Sequence, residues 1–346
     1  MKIFITLVTA NSLKYLPLCL QAIFNQSVRD FEVIIVDNAS VDGTTDFIRQ
    51  NYPETTVLRN YNDRGGAIAK NQAVKIIRNK IKTADVNFDG VGALFMDSSV
   101  ILPKDFIKYL DGALKDNDDG GSFAFKVLRL GSKDFDEPIS DFNSAILDSA
   151  GIAVSGAGLV KRIGQGDRDA GQFEGSKEIF GPDPVIALYR LSALEDSALN
   201  EDCFDADFFA GGEDLDLIWR LRLLGWKSYF LPAPYAYRFG GNPGSDKKIL
   251  PRVKNYHRKT RDYRLIRNHL WILFKNQQLA NLVVFGPQIL VRESAKFLHS
   301  LFVRQKNLRA YGSYFIGLPG MIRKRFLIYK KHHLRAGAMR RAFKLK

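Results

Sequence analysis

From the first residues, short apolar, β-branched runs alternate with segments whose apolar residues recur every three or four positions, and this alternation restricts the chain to few folds. Ile3 to Thr9, Phe31 to Val36 and Thr56 to Leu58 read as strands, with helices over Leu13 to Phe24 and Thr44 to Arg49 between them. That order predicts parallel strands joined by right-handed crossovers. A helix over Ala67 to Ile77, an apolar strand over Gly92 to Met96 and a helix from Lys104 to Lys115 extend the pattern. The expected class is α/β, a mixed, largely parallel sheet flanked by helices. Ligands of such sheets sit beyond the carboxyl ends of the strands.

Four strand ends carry polar residues: Thr9-Ala10-Asn11, Asp37-Asn38-Ala39-Ser40, Asn62-Asp63-Arg64-Gly65-Gly66 and Asp97-Ser98-Ser99. Turn chemistry accounts for any one of them. Four together, each closing an apolar strand, point to a nucleotide crevice. No Walker-type or G-x-G-x-x-G loop follows the first strand, which disfavours a P-loop or dinucleotide site.

Further along, Gly211-Gly212-Glu213-Asp214-Leu215-Asp216 opens an amphipathic helix in which Leu215, Ile218, Leu221 and Leu224 recur at helical spacing before Gly225. The paired glycines permit a tight turn, and acids suit a helix N-terminus. Alone, this is an ordinary acidic helix start. Beside a nucleotide crevice it reads as a platform for a catalytic base.

With 346 residues, the chain has room for a catalytic domain and an appended module. Cys19 and Cys203 have neither metal-type nor disulfide spacing, which fits a reducing compartment. The N-terminus shows no signal-peptide core, so a cytoplasmic protein is expected. The net charge of +14 is uneven. Residues 246–346 hold 25 Lys and Arg against Asp246, Asp262 and Glu293, giving +22, so residues 1–245 carry 14 − 22 = −8. We therefore place a boundary near residue 246, after Pro243-Gly244-Ser245, between a domain at 1–245 and a basic, mainly helical region at 246–346.

In that region cations and aromatics interleave from Tyr256 to Trp271, as befits an anionic partner. Leu279 to Val291 is interrupted by Asn281, Gly286, Pro287 and Gln288 and is too short to span a bilayer. The segments around Leu298–Arg309 and Ile322–Lys331 read as amphipathic basic helices. Charge alone admits a membrane face or a nucleic acid.

The order of the polar segments carries a resemblance. Thr9-Ala10-Asn11, Val36 to Thr44, Asn62 through Asn71, and Glu213-Asp214-x-Asp216 through Trp219-Arg220 resemble the motifs of family 2 glycosyltransferases with a GT-A (Rossmann-like) fold. The resemblance covers residues 1 to about 245 and implies sugar transfer from a nucleotide-diphosphate donor, usually with inversion. It implies that Asp37, with Asn38 and Ser40, binds a uracil or thymine base or the adjoining ribose. It places Thr9, Asn11, Arg64, Gly65 and Asn71 in the donor site. Asp97 is set near the ribose and diphosphate as the metal-ligand candidate, and Asp214, with Glu213 as its rival, becomes the base. Asp216 and Arg220 are expected to organise the helix.

Two departures bear on a divalent cation, Mg²⁺ or Mn²⁺, which the family implies. Ser99 stands where an acid usually completes the metal motif, and it is a weak ligand for a hard cation. All five histidines lie beyond residue 256, so none follows the acidic helix where many relatives have one. Arg238 lies in the corresponding stretch. A guanidinium there could pair with the diphosphate; the equal alternative is a surface arginine at a strand end.

Residues 141–190 form a polar, Gly-rich excursion too long for a simple connector. It resembles the equivalent part of bacterial rhamnosyltransferases that build cell-surface polysaccharides, which implies dTDP-L-rhamnose as donor and a lipid-linked glycan as acceptor. With such an acceptor, and no recognised nucleic-acid module, an anionic membrane surface is the expected partner of the basic region and no nucleic acid is expected. The location implied is cytoplasmic, peripheral at the inner face of the plasma membrane. The competing expectation is a catalytically degenerate GT-A protein acting as a membrane scaffold or glycan-binding subunit.

Overall fold

β-Branched and aromatic residues in Lys2–Thr9 (β1) and Phe31–Asn38 (β2) favour extended backbone, and the two strands pair in parallel from Ile3/Phe31 to Thr9/Asp37. These coordinates are a computed structural model that describes residues 2–84, 87–131, 133–137, 142, 144–240 and 258–344. Leu16–Phe24 (α1) and Thr44–Asn51 (α2) make the crossovers to β2 and to Thr56–Asn60 (β3). Gly66–Ala84 (α3) then leads to Val91–Met96 (β4), which is buried throughout and pairs in parallel with β1. The expected β-α-β-α-β start is therefore present. Helix α1 begins at Leu16, three residues later than expected, with a proline in its first turn where no N–H is needed.

The helix expected from Lys104 to Lys115 is shorter. Ile107–Tyr109 forms a 3₁₀ turn and Leu110–Lys115 (α4) the only α-helical part. Val100–Ile101 (β5) and Gly120–Leu130 (β6) flank it. The excursion at 141–190 contains Leu147–Ser149 (β7), Ile152–Val154 (β8), Val160–Arg162 (β9) and Lys177–Ile179 (β10), with β8 and β9 forming a separate antiparallel pair. Gly181, just past β10, makes an isolated antiparallel bridge with Ile152 of β8. Ile186–Arg190 (β11) runs antiparallel to β4, followed by Leu191–Asp196 (α5), Glu213–Leu223 (α6) and Lys227–Phe239 (β12). The main sheet has the order β10-β12-β6-β11-β4-β1-β2-β3, with β5 on β12 and β7 on β6.

The expected boundary at Pro243-Gly244-Ser245 lies outside the described residues. Beyond it come Arg258–Asn276 (α7), Leu279–Phe302 (α8), Leu308–Lys331 (α9) and Ala336–Ala342 (α10). Pro287 does not break α8, which continues as one helix through Gly286-Pro287-Gln288. These helices share a core with the first part of the chain. Trp271, Ile272, Met321 and Met339 cluster with Phe180, Phe208, Ile218 and Trp219.

Candidate functional site

Because β1, β2 and β4 run parallel, Thr9, Asn38 and Met96 deliver their following loops to one edge of the sheet. Asp37 there is fully buried. Its carboxylate accepts from Thr9 Oγ1 (3.0 Å), Thr45 Oγ1 (2.7 Å), the Ser40 backbone N–H (3.2 Å) and Ser40 Oγ. The resemblance assigns Asp37 to the nucleobase or the adjoining ribose; within the chain its hydrogen bonds hold the strand-end turn in shape. Asn38 Nδ2 donates to Asp63 (2.5 Å), and its Oδ1 accepts from Asn60 Nδ2 (3.1 Å) and the Arg64 N–H (3.0 Å). Asn11, at φ 51°, accepts from the Val41 N–H at 2.9 Å while its own N–H donates to Ser40 Oγ at 2.8 Å. These residues join three loops into one rim. Asn71 also faces inward, its amide bridging the N–H (2.8 Å) and C=O (2.6 Å) of Phe204. Arg64 is exposed beside this rim, and a cleft of about 490 Å³ is lined by Ser40, Val41, Arg49, Arg59, Asn60 and Tyr61.

The acidic helix is set against this rim by glycine geometry. Gly65, at φ +79°, lies where a Cβ would stand 2.2 Å from the Phe209 carbonyl oxygen, and the Gly66 N–H donates to that oxygen at 2.6 Å. Gly211 and Gly212, at φ +83° and +99°, then turn the chain into α6. This close approach requires glycine.

It brings Lys70 of α3, which sequence reasoning missed, onto the two acids. Lys70 Nζ lies 2.6 Å from both oxygens of Asp214 and 3.5 Å from Glu213 Oε1. Glu213 and Asp214 are buried, and Glu213 Oε2 has no hydrogen-bond partner among the described residues. Burial, with help from the Glu213 charge, pushes Asp214 up to about 6 against the lowering by Lys70. A carboxylate in that range is ionised at neutral pH yet basic enough to take a proton. Replacing Lys70 with Met removes the cation, so the Asp214 pKa rises further. Activity should fall at neutral pH and recover at higher pH, its acid limb moved up by about one to three pH units in a pH–rate profile.

Arg238 on β12 is not a surface arginine. It is mostly buried, with Nη1 2.8 Å from Asp148 on β7. Asp148 also pairs with Arg129 of β6 (3.0 Å) and Arg162 of β9 (3.5 Å), and Arg162 reaches Asp183 at 2.6 Å. Burial opposes ionisation of Asp148, but Arg238, Arg162 and Arg129 together hold its carboxyl below the usual range. Arg238 feels the charges of Asp97 and Asp183, and Asp183 is also felt by Asp214, so cations, base and strand end form one electrostatic unit.

Asp97, just past β4, is exposed and accepts from the Ser99 N–H at 2.8 Å. Ser99 is buried, with its carbonyl bound to the Phe239 N–H at 2.9 Å. The family's cation is therefore tested against a single open carboxylate. Among the described residues no group of three or more His, Cys, Asp or Glu side chains forms a metal site. These residues do not make a protein-only cage for a hard cation that requires several oxygens.

The basic region frames the acids from the other side. Asn268 Nδ2 on α7 donates to the carbonyls of Phe208 (2.9 Å) and Gly211 (2.6 Å). Lys275, fully buried, lies 2.5 Å from Asp205 and 2.8 Å from Asp216, and Asn276 also donates to Asp216. Asp216 and Arg220 do organise the helix, paired at 3.0 Å.

This arrangement of strand-end loops and acidic helix meets the comparison with known families. The sequence profile described as "Glycosyl transferase family 2" matches residues 4–197, more than half of the chain. The chain belongs to glycosyl transferase family 2. As a family member it is a glycosyltransferase with a GT-A fold and uses a nucleotide-sugar donor. No curated protein gives a match. Among solved structures, GalNAc-T7 with UDP, GalNAc and Mn²⁺ aligns at TM-score 0.55 and 11% identity, over 80% of this chain and 48% of that one. Staphylococcus aureus TarS 1–349 with UDP aligns at 0.49 and 17% identity, over 88% and 73% of the two chains. The mannosyltransferase PcManGT of Pyrobaculum calidifontis, with GDP-Man and Mn²⁺, aligns at 0.46 and 16%, over 97% and 77%. At such identities only the GalNAc-T7 match bears on the argument, and it supports the shared fold.

Proposed function

We propose that this family 2 enzyme is an inverting transferase that moves L-rhamnose from dTDP-L-rhamnose to a lipid-linked cell-surface glycan, working at an anionic membrane on the cytoplasmic side of the plasma membrane. The observation that carries the mechanism is the buried pair Glu213 and Asp214 under Lys70, with Asp214 lifted to about 6. Asp214 accepts the proton of the acceptor hydroxyl as that oxygen bonds to the anomeric carbon. The bond from that carbon to the diphosphate oxygen breaks on the opposite face, and the nucleoside diphosphate leaves with the electron pair. Glu213, beside it, disfavours a second negative charge and so keeps Asp214 basic. The Arg238 guanidinium meets the diphosphate, while the cleft lined by Ser40, Arg59 and Tyr61 takes the nucleobase.

The choice of sugar rests on the resemblance of residues 141–190 alone. The basic region, at +22 over residues 246–346, supports the membrane partner, since each Lys or Arg near an anionic leaflet contributes about 1 kcal/mol. A scaffold role has one observation in its favour, the single carboxylate at the metal motif. Calorimetric titration with dTDP-L-rhamnose and with UDP-sugars, in Mg²⁺ and in EDTA, tests the assignment. Binding that prefers dTDP-L-rhamnose supports it; no binding to any donor supports the scaffold. Arg238→Ala should weaken donor binding about ten-fold or more, as expected for a lost charge-assisted contact. Asp148 keeps Arg129 and Arg162 in that variant, so an unchanged affinity would remove Arg238 from the donor site.

A further inference from the structure

Helix α8 is built inside out for a helix facing water. It runs 24 residues, about 36 Å at 1.5 Å per residue. Its charged residues turn inward: Glu293 is paired with Arg292 (2.8 Å), Lys296 (2.9 Å) and His269 of α7 (3.4 Å), with Glu293, Arg292 and His269 well covered and Lys296 partly exposed. Asn281 and Ser300 are buried on the same side. The outward residues are mainly apolar and recur at helical spacing, with Gln288, Ser294 and His299 among them. Val283 is 80% exposed, Leu290 68% and Phe302 76%, with Leu279, Val291 and Leu298 also open. A helix that packs its core in water presents the opposite polarity. An apolar stripe of this length marks an interaction surface.

Cations surround it. Fourteen Lys and Arg residues and no Asp or Glu follow Glu293 in the sequence. Of these, Arg304, Lys306 and Arg309 are exposed directly beyond the end of α8. No helix among the described residues is long and apolar enough to cross a membrane. An apolar stripe with a cationic border fits a helix lying in the plane of an anionic bilayer, its outer face among the acyl chains and its flanking cations on the headgroups. A second copy of the chain would bring the same positive charge against itself.

We propose that α8 is the lipid-contacting element of this protein, lying in the surface of an anionic membrane through Val283, Leu290, Val291, Leu298 and Phe302. This deepens the reading above, in which the acceptor is lipid-linked, and it gives the membrane partner a defined surface. The full chain should float with vesicles of phosphatidylcholine and phosphatidylglycerol and not with phosphatidylcholine alone. A Leu290→Glu/Phe302→Glu variant should lose membrane partitioning by about ten-fold or more, because two apolar side chains that enter the bilayer become charged. Its calorimetric binding of dTDP-L-rhamnose should match that of the wild type, since neither residue is among those lining the donor crevice. Flotation of the variant equal to wild type would overturn the proposal, as would a wild type that stays off anionic vesicles. A wild-type dimer in light scattering that the variant dissolves, without flotation, would assign the surface to self-association instead. Donor binding that fails while flotation persists would strike the transferase reading and leave this surface standing.

Discussion

Asp214→Asn should leave the fold and donor affinity in place while lowering kcat by about 10²–10⁴-fold, the range general-base catalysis supplies. The substitution keeps the shape of the side chain, so Lys70 loses a charged partner but still faces Glu213 at 3.5 Å. A donor-binding defect of similar size would mean that the residue holds substrate and is not the base. Glu213→Gln separates the two acids. Glu213 raises the Asp214 pKa by its charge. Removing it should make Asp214 more acidic and hence a weaker base, an effect smaller than loss of Asp214 itself. If Glu213→Gln were the more damaging change in single-turnover assays, the roles would be reversed.

The second large effect concerns Lys275. Its ammonium is completely buried between Asp205 and Asp216, two acids that frame the loop leading into α6. Lys275→Met fits the space but takes the buried ammonium away from both carboxylates. Breaking a buried ion pair from one side costs about 3–5 kcal/mol. Lys324 also pairs with Asp205, and Arg220 and Asn276 with Asp216, so the acids keep part of their compensation and the lower end of that range is expected. The variant should show a clearly lower midpoint in denaturant unfolding with little change in slope. By the same argument a chain ending at Gly240 should not hold a competent acidic helix, because Asn268 and Lys275 would be gone. Full donor turnover by such a shortened chain would contradict this coupling.

The sequence conveys the sheet well because β1, β2 and β4 are apolar runs ended by polar turn residues, and that pattern is local. The acidic helix is legible for the same reason, from Gly211-Gly212 to its apolar spacing. Lys70 is not, since a lysine in Ala67-Ile68-Ala69-Lys70 looks like a solvated helix face. Its partners lie more than 140 residues away and meet it only through the close approach of Gly65 to Phe209. Asp37, at the end of β2, and Asn71, in α3, also make hydrogen bonds to Thr45 and Phe204, contacts no spacing rule reveals. In the basic region, charge counting shows the excess of cations and hides the pairing of Lys275. Arg238 comes from both sides: its position invites a diphosphate, and its anchoring by Asp148, distant in sequence, becomes visible only in the fold.

The most direct test is the pH dependence of kcat for nucleoside-diphosphate release from dTDP-L-rhamnose in the presence of acceptor lipid. If Asp214 is the base, the rate should fall as pH drops through about 6, where its carboxylate takes up a proton and can no longer accept one, and Asp214→Asn should lose this limb together with the rate. A rate that stays flat below pH 6, or an Asp214→Asn enzyme that keeps both rate and limb, would contradict the account.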